Sequence, residues 1–565
     1  MPGGRRQPIA RALRELGNAQ IRDRSLTPDE ALERVHRQHP DRISRRDALK
    51  IGAAAAGGLV LAACSPARSS APPTPASATV PQASATASEA RIVVVGAGLA
   101  GTTAAYRLSK AGLNVQVYEA RDRIGGRCWT KRDWPHGQQS EHGGEFIDTR
   151  HIHIRQLAKE LGLEEEDLWS GWHAGDTWLT FLNGKVGQWS DWADDQKPLV
   201  KVVNAKAKEI GLIGPGENGD VHLEAIWAGN PTPEAVAFDQ LSMTEFMEQE
   251  IPGLADSAYG VFLDTVMAGW YGLNMASLSA MNWMDYFVLP ANGADERWHI
   301  KDGNDQIPVL AADQLPDGSL HLEAPLESVR ATGDTYELRF GGIADPVVAD
   351  FVIMTAPFIV LRDTELEGLS QAKMDQIRVL SMGTDVKLFL QYGFRPERFT
   401  APDGGQWSGG LEQADAGFET WESTEVQPGP TSVLTVYAGG QGSARFAAPD
   451  YHALPPDSMV QETLELIDDA VPGTKDAYAG SAWLDYWTGD PWTRGSYAAF
   501  TPGQYTSFWG ATAQPDGNHH FAGEHTSTDS QGYLNGGVES GQRAAIEVMQ
   551  KLGVEVPAAI ADMTY

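Results

Sequence analysis

Hydrophobic positions along the chain change period in a telling order. Ile92 to Val95 is an unbroken β-branched run, the pattern of a strand buried on both faces of a parallel sheet. Ala100, Ala104, Leu108 and Ala111 then recur at helical spacing and mark one buried face. Val115 to Tyr118 alternates into a second strand, which Glu119 closes. Far downstream, Pro325 to Phe340 reads as two short strands around a Gly333-Asp334 turn, and Asp350 to Pro357 as a strand that returns to the first sheet. A β-patterned apolar run, MGTDVKLFL, carries one lysine, Lys387. Val538 to Ala545 opens a helix behind Gly536-Gly537. The pattern predicts an α/β fold. With 565 residues the chain has length for more than one domain, and it contains no internal repeat.

The apolar run Ile51 to Ala63 is different. Its 13 residues are too few to span a bilayer, and Arg45-Arg46 stand just ahead of it. This reads as the core of an export signal of the twin-arginine type, a route that carries folded cargo. The run ends in Leu61-Ala62-Ala63-Cys64, which resembles a lipobox whose cysteine is lipidated. Residues 1–64 are therefore read as signal. Residues 65–90, made of Ser, Ala, Pro and Thr, are read as an extended tether, because such a stretch cannot bury apolar surface. Residues 1–64 carry 12 Lys+Arg against 7 Asp+Glu, so the remainder holds a net charge of −36 within the chain's total of −31. That acidity excludes nucleic acid as a partner and suits solubility outside the cytoplasm. Cys64 and Cys128 are the only cysteines, so a lipidated Cys64 leaves none to pair with Cys128.

Gly96, Gly98 and Gly101 follow the first strand in G-x-G-x-x-G spacing. The context is strand, tight turn, helix, second strand and then an acid, which is what a dinucleotide-binding turn requires. Such glycines let the backbone approach a pyrophosphate at the helix N-terminus. Glu119 would accept hydrogen bonds from ribose hydroxyls, which disfavours a 2′-phosphate.

Two further motifs sharpen this. EARDRIGGRCWT, Glu119 to Thr130, resembles the second signature of the flavin-dependent monoamine oxidase family, which includes L-amino acid and polyamine oxidases. FAGEHTSTDSQGYLNGGVESGQRAA, Phe521 to Ala545, resembles that family's closing motif. The resemblance spans residues 91–545. It implies a Rossmann-like FAD-binding domain assembled from discontinuous segments, with an inserted α+β substrate-binding domain. The expected division gives FAD-binding segments at 91–160, 301–360 and 505–560, and substrate segments at 161–300, mainly helical, and 361–504. It also implies that Gly96, Gly98, Gly101, Glu119, Ala120, Arg121, Gly126, Arg127, Gly144, Glu145, Val329, Glu524 and Tyr533 contact FAD.

The same resemblance assigns chemistry. Lys387 falls where the family places a lysine bridged by water to the flavin. Trp487 stands ten positions before Tyr497, and Tyr497 and Tyr533 fall at the two walls of an aromatic cage. Two such rings would orient an amine through their π faces. Some family members bond FAD through a cysteine where this chain has Ser496, so the FAD is expected to be non-covalent and loaded before export. The implied reaction is oxidation of an amine with O2 to imine, then aldehyde, ammonia and H2O2. L-Amino acid oxidases commonly set a carboxylate-binding arginine just after the GG pair. Here that slot reads Glu145-Phe146, which favours simple amines, although Arg150 lies close by. Other readings are a dehydrogenase with a non-oxygen acceptor and a flavin-containing binding lipoprotein. His142, His151 and His153 lack the flanks of a metal site, and none is expected. If Arg45-Arg46 drive export, replacing both with lysine should leave FAD-loaded protein in the cytoplasm, as cell fractionation would show. Normal export of that variant would remove the signal assignment.

Overall fold

The computed structural model describes Ala87 and residues 89–561, apart from 172–175, 215–220, 227, 290–294, 397–398 and 402–403. Arg45, Arg46, Cys64 and most of the expected tether lie outside the described residues. The tether's last residues do not behave as a tether. Ala87 and Ala90 are buried, and Ala87 packs in the same core as Ile92 and Val94.

The β-branched run forms the strand Ile92–Val95 at the centre of a five-stranded parallel sheet. Val115–Tyr118 and Phe351–Met354 flank it, while Leu320–His321 and His519–Phe521 form the edges. Three distant stretches of chain thus make one sheet. The helix Leu99–Lys110 lies on it, with Ala104, Ala105 and Leu108 fully buried. The helix Leu534–Lys551 packs against that first helix at backbone distance. A Cβ on Gly541 would stand 2.2 Å from the Ala100 carbonyl oxygen, so only glycine fits. Gly101 is needed for the same reason, since its Cβ would lie 1.9 Å from the Gly96 oxygen.

An eight-stranded sheet forms the second layer. Its order is His452–Ala453, Tyr478–Tyr486, Val386–Tyr392, Ser432–Ala438, Phe418–Glu422, Gln406–Gln413, Asp176–Leu182 and Lys185–Gln188. Strand alternation sorts its two faces. Val386, Leu388, Leu390 and Tyr392 pack with Leu464 and Ile467 of the helix Asp457–Ala470. Lys387 and Phe389 point the other way, toward the nucleotide sheet. The span 161–300 supplies helices, including Gln196–Glu209 and Ala258–Tyr271, but also the two last strands of this sheet. The span thus adds strands to the mainly helical content expected of it. Among the described residues no helix is long and apolar enough to cross a membrane.

Candidate active site

One cavity of about 930 Å³ runs between the nucleotide sheet and the eight-stranded sheet. Gly96, Gly98, Glu119, Ala120, Arg121, Gly126, Arg127, Gly144, Glu145, Glu524, Lys387, Trp487, Tyr497 and Tyr533 all line it. Two expected residues do not. Gly101 closes the helix onto the strand instead of facing the cavity. Val329 lies mid-strand, paired with Leu338 on one side and Leu366 on the other, and is fully buried. Leu326 and Ala324, just upstream, reach the wall in its place. The valine was named by resemblance to the family's equivalent segment, and in this chain that segment meets the cavity at Ala324 and Leu326 instead.

The entrance to the first helix fits a dinucleotide. No side chain caps Leu99–Lys110, and its first turn holds no acid. Its free N–H groups and dipole therefore await an anion. A Cβ on Gly98 would meet nothing closer than 3.8 Å, so the protein's own packing does not demand glycine there; a ligand against the backbone does. Glu119 ends the second strand with Oε2 accepting from Ala97 N at 2.6 Å and Oε1 from Arg121 N at 2.9 Å. Its remaining lone pairs suit ribose hydroxyls.

Glu524 ties the cavity together. Its Oε1 accepts from Arg127 Nη1 at 2.8 Å and Ala498 N at 3.1 Å, and its Oε2 from Gly532 N at 2.9 Å. Arg127 also donates to the Ser496 oxygen at 2.7 Å. Tyr497 and Tyr533 are each next to one of these anchored residues. Tyr497 Oη bonds Gly269 O and Tyr437 Oη, both at 3.1 Å. Tyr533 Oη has no partner among the described residues, and its ring meets His151 edge-on at 4.9 Å. Tyr497 and Tyr533 both line the cavity, with no ring contact between them among the described residues. Burial raises both phenols well above their usual range, which keeps them neutral.

Lys387 does not stand alone. Its ammonium donates to Glu141 O at 3.0 Å, Gly143 O at 2.8 Å and Glu145 Oε2 at 2.9 Å. All three hydrogens are thereby committed, so the expected water bridge would have to share one. Glu145 Oε1 accepts from Trp421 Nε1 at 3.1 Å. Burial alone would raise the Glu145 carboxyl, but the Lys387 ammonium and these hydrogen bonds hold it below its usual range. Lysine and glutamate are 5% and 7% exposed, so this is a buried ion pair. The sequence had offered Glu145 only as a cofactor contact.

One further cavity residue, Asp385, escaped sequence reading, while Trp487, Arg150, His142 and His151 were named there without their partners. Asp385, on the same face as Lys387, lines the cavity; burial pushes its carboxyl up to about 8, and Ser496 Oγ donates to it at 2.6 Å. Trp487 Nε1 donates to His142 O at 3.1 Å. Arg150 lines the cavity too; its guanidinium makes no hydrogen bond among the described residues and pairs there only with Asp148, at 3.7 Å. His142 pairs with Asp485 and His151 with its neighbour Asp148. No group of metal-ligating side chains occurs among the described residues.

Residues 99–549 match the family described as flavin containing amine oxidoreductase. The chain belongs to that family. Its curated relatives include an L-amino-acid oxidase of Bungarus fasciatus, 26% identical over 473 residues, covering 82% of this chain and 87% of the relative. Amine oxidase [flavin-containing] B of Sus scrofa is 24% identical over 490 residues, with the same coverages. Among solved structures, cyclohexylamine oxidase from Brevibacterium oxydans superposes with a TM-score of 0.68 at 23% identity, covering 82% of this chain and 99% of that one, which shows a shared fold. This flavin amine oxidoreductase is thus an enzyme acting on CH–NH2 groups with FAD, and its fold and cofactor agree with the sequence expectation.

The buried pair carries a stability consequence. Lys387→Met strands the Glu145 carboxylate and should cost about 3–5 kcal/mol in equilibrium denaturation at pH 7. Adding Glu145→Gln should recover more than half. Without the ammonium, burial raises the Glu145 pKa, so the deficit should shrink as pH falls through the carboxylate range. Equal deficits at pH 7 and 4, with no rescue, would refute the pairing.

Proposed function

We propose that this enzyme oxidises a small amine without a carboxylate, using O2 as acceptor, and holds its FAD non-covalently. The observation that carries the substrate reading is the wall after Gly144. Phe146 occupies the slot of a carboxylate-binding arginine, lines the cavity and packs 5.7 Å from the Trp421 ring. An apolar wall favours the carbon skeleton of a neutral amine over a charged carboxylate. When bound, FAD supplies the two-electron acceptor for the amine's α-carbon–hydrogen bond and passes the electrons to O2. Tyr497 and Tyr533 orient the amine between their rings and, being neutral, add no competing charge. Lys387 presents a fixed cation whose field Glu145 partly cancels. Gly96, Gly98 and Arg127 would hold the pyrophosphate and Glu119 the ribose.

The non-covalent reading rests on Ser496 and on Cys128. Cys128 is the one cysteine among the described residues, packed with Leu99, Ile147 and Leu534. Burial raises its thiol well above the usual range, so no thiolate is available to bond the cofactor. Export by the twin-arginine route and a tether through Cys64 complete the proposal; their support is the sequence alone.

Arg150 favours a second reading. Its guanidinium is without a hydrogen bond at the cavity wall and could take the carboxylate of an amino acid. A peroxide-coupled screen pairing each L-amino acid with its decarboxylated amine decides between them. The amines should be turned over faster by at least tenfold in kcat/KM. If the amino acids win, and Arg150→Ala abolishes that preference, the second reading holds and Phe146 is only a wall.

A further inference from the structure

His452 opens an edge strand of the eight-stranded sheet and stands in register opposite Asp485. Its Nδ1 lies 2.8 Å from Asp485 Oδ1 and its Nε2 lies 3.1 Å from Asp490 Oδ2. Both carboxylates are fully buried. A neutral imidazole has one N–H and would set a lone pair against one of these oxygens; only the imidazolium satisfies both. Ion pairs extend the chain on either side. Asp490 Oδ2 is 2.7 Å from Arg121 Nη2, and Asp485 Oδ2 is 2.8 Å from His142 Nδ1.

This buried chain, Arg121–Asp490–His452–Asp485–His142, ends in two walls of the cofactor cavity. Arg121 lines it directly. Trp487 lines it as well, with its indole edge-on to His452 at 4.6 Å and its N–H on the His142 carbonyl. Other charged groups face the chain from every side. Arg123 stacks over Trp129 at 4.1 Å, and Trp129 stacks on His142 and meets His452 edge-on. Lys387 lies opposite Asp485 in the neighbouring strand. Burial works against a charged His452, but the two carboxylates outweigh it and hold the ring above its usual range. Asp485 in turn is held down to about 2: burial opposes this, and His142 and His452 prevail.

We propose that His452 is a positioning residue of the cofactor cleft, its second ring proton joining Asp485 to Asp490 and so holding Trp487 and Arg121 where FAD packs. The proposal rests on the flavin assignment. Because the folded ring keeps its proton above the ordinary imidazole range, the clamp is fully present below about pH 6.5 and is lost as pH rises through the raised value.

The test uses purified holo-protein and measures the FAD dissociation constant, from free flavin fluorescence after ultrafiltration, between pH 6 and 10. Wild-type affinity should be flat at the acid end and weaken by about tenfold or more on the alkaline side, the scale of a charge-assisted hydrogen bond. His452→Gln should already be weakened to that extent at pH 6 and stay flatter, so that the two curves converge at high pH. Asp385, raised to about 8 at the cavity wall, titrates in the same window, so the convergence of the two curves assigns the effect to His452, and His452→Asn provides the comparison should the glutamine variant fold poorly. Wild-type affinity that is constant across the range, or a variant that runs parallel to the wild type, would overturn the proposal. Failure to bind FAD at any pH would instead overturn the flavin assignment, and this inference with it.

Discussion

Glu524 is the one carboxylate on which the arrangement of the site depends. It receives Arg127 from the first nucleotide-binding segment, Ala498 N from the end of the substrate segment and Gly532 N from the closing segment. Arg127 and Glu524 are 397 positions apart in sequence. Three loops with no local reason to meet are thereby fixed around one buried group, and each bond is charge-assisted. Because Tyr497 and Tyr533 are neighbours of the anchored amides, the placement of the two rings follows from the geometry of the cofactor cradle. A Cβ would fit neither at Gly541, where the last helix meets the first, nor at Gly101, where the first helix closes onto its strand, so backbone contact locks the same segments.

The second organising feature is a transverse row of the eight-stranded sheet. Register places His452, Asp485, Lys387, Tyr437 and Glu419 side by side on five neighbouring strands. Strand alternation sends all of them to the cavity side, while Val386, Leu388, Leu484 and Val436 fill the core behind. Charge on this face is therefore arranged in pairs: Lys387 with Glu145, and His452 with Asp485 and Asp490. Pairing lets several ionised groups remain buried beside an amine site, since an isolated charge there would neutralise instead.

What the sequence disclosed follows from how local each signal is. The strand, turn, helix and acid of residues 92–119 form within one contiguous stretch, and every element stands where the pattern put it. The cage tyrosines and Lys387 were singled out by resemblance to the family's motifs, since a ring or a lysine in a strand says little by itself; all three line the cavity. Glu145 was seen without its role, because its partner lies 242 positions away and no spacing rule connects them. The Asp485–His452–Asp490 chain was invisible for the same reason: two acids and one ring meet through sheet register and the turn that follows the strand Tyr478–Tyr486. Val329 was named by resemblance alone; in the structure it is fully buried and does not line the cavity, which Ala324 and Leu326 reach. The tether boundary was set by composition, which cannot register that Ala87 finds a pocket among larger side chains.

The cofactor cradle and the two cage tyrosines form a single unit through Glu524. The most direct measurement is the anaerobic rate of flavin reduction by an amine in Glu524→Gln, at FAD concentrations high enough to saturate the variant. Glutamine keeps one acceptor oxygen and turns the other into a donor that opposes Gly532 N–H or Arg127. The loops bearing both tyrosines should then lose their placement, and reduction should slow by about 10–100-fold even with FAD bound, since small misplacements carry such factors. A saturated variant that is reduced at the wild-type rate would contradict the claim, because the tyrosines would then hold their places without the carboxylate.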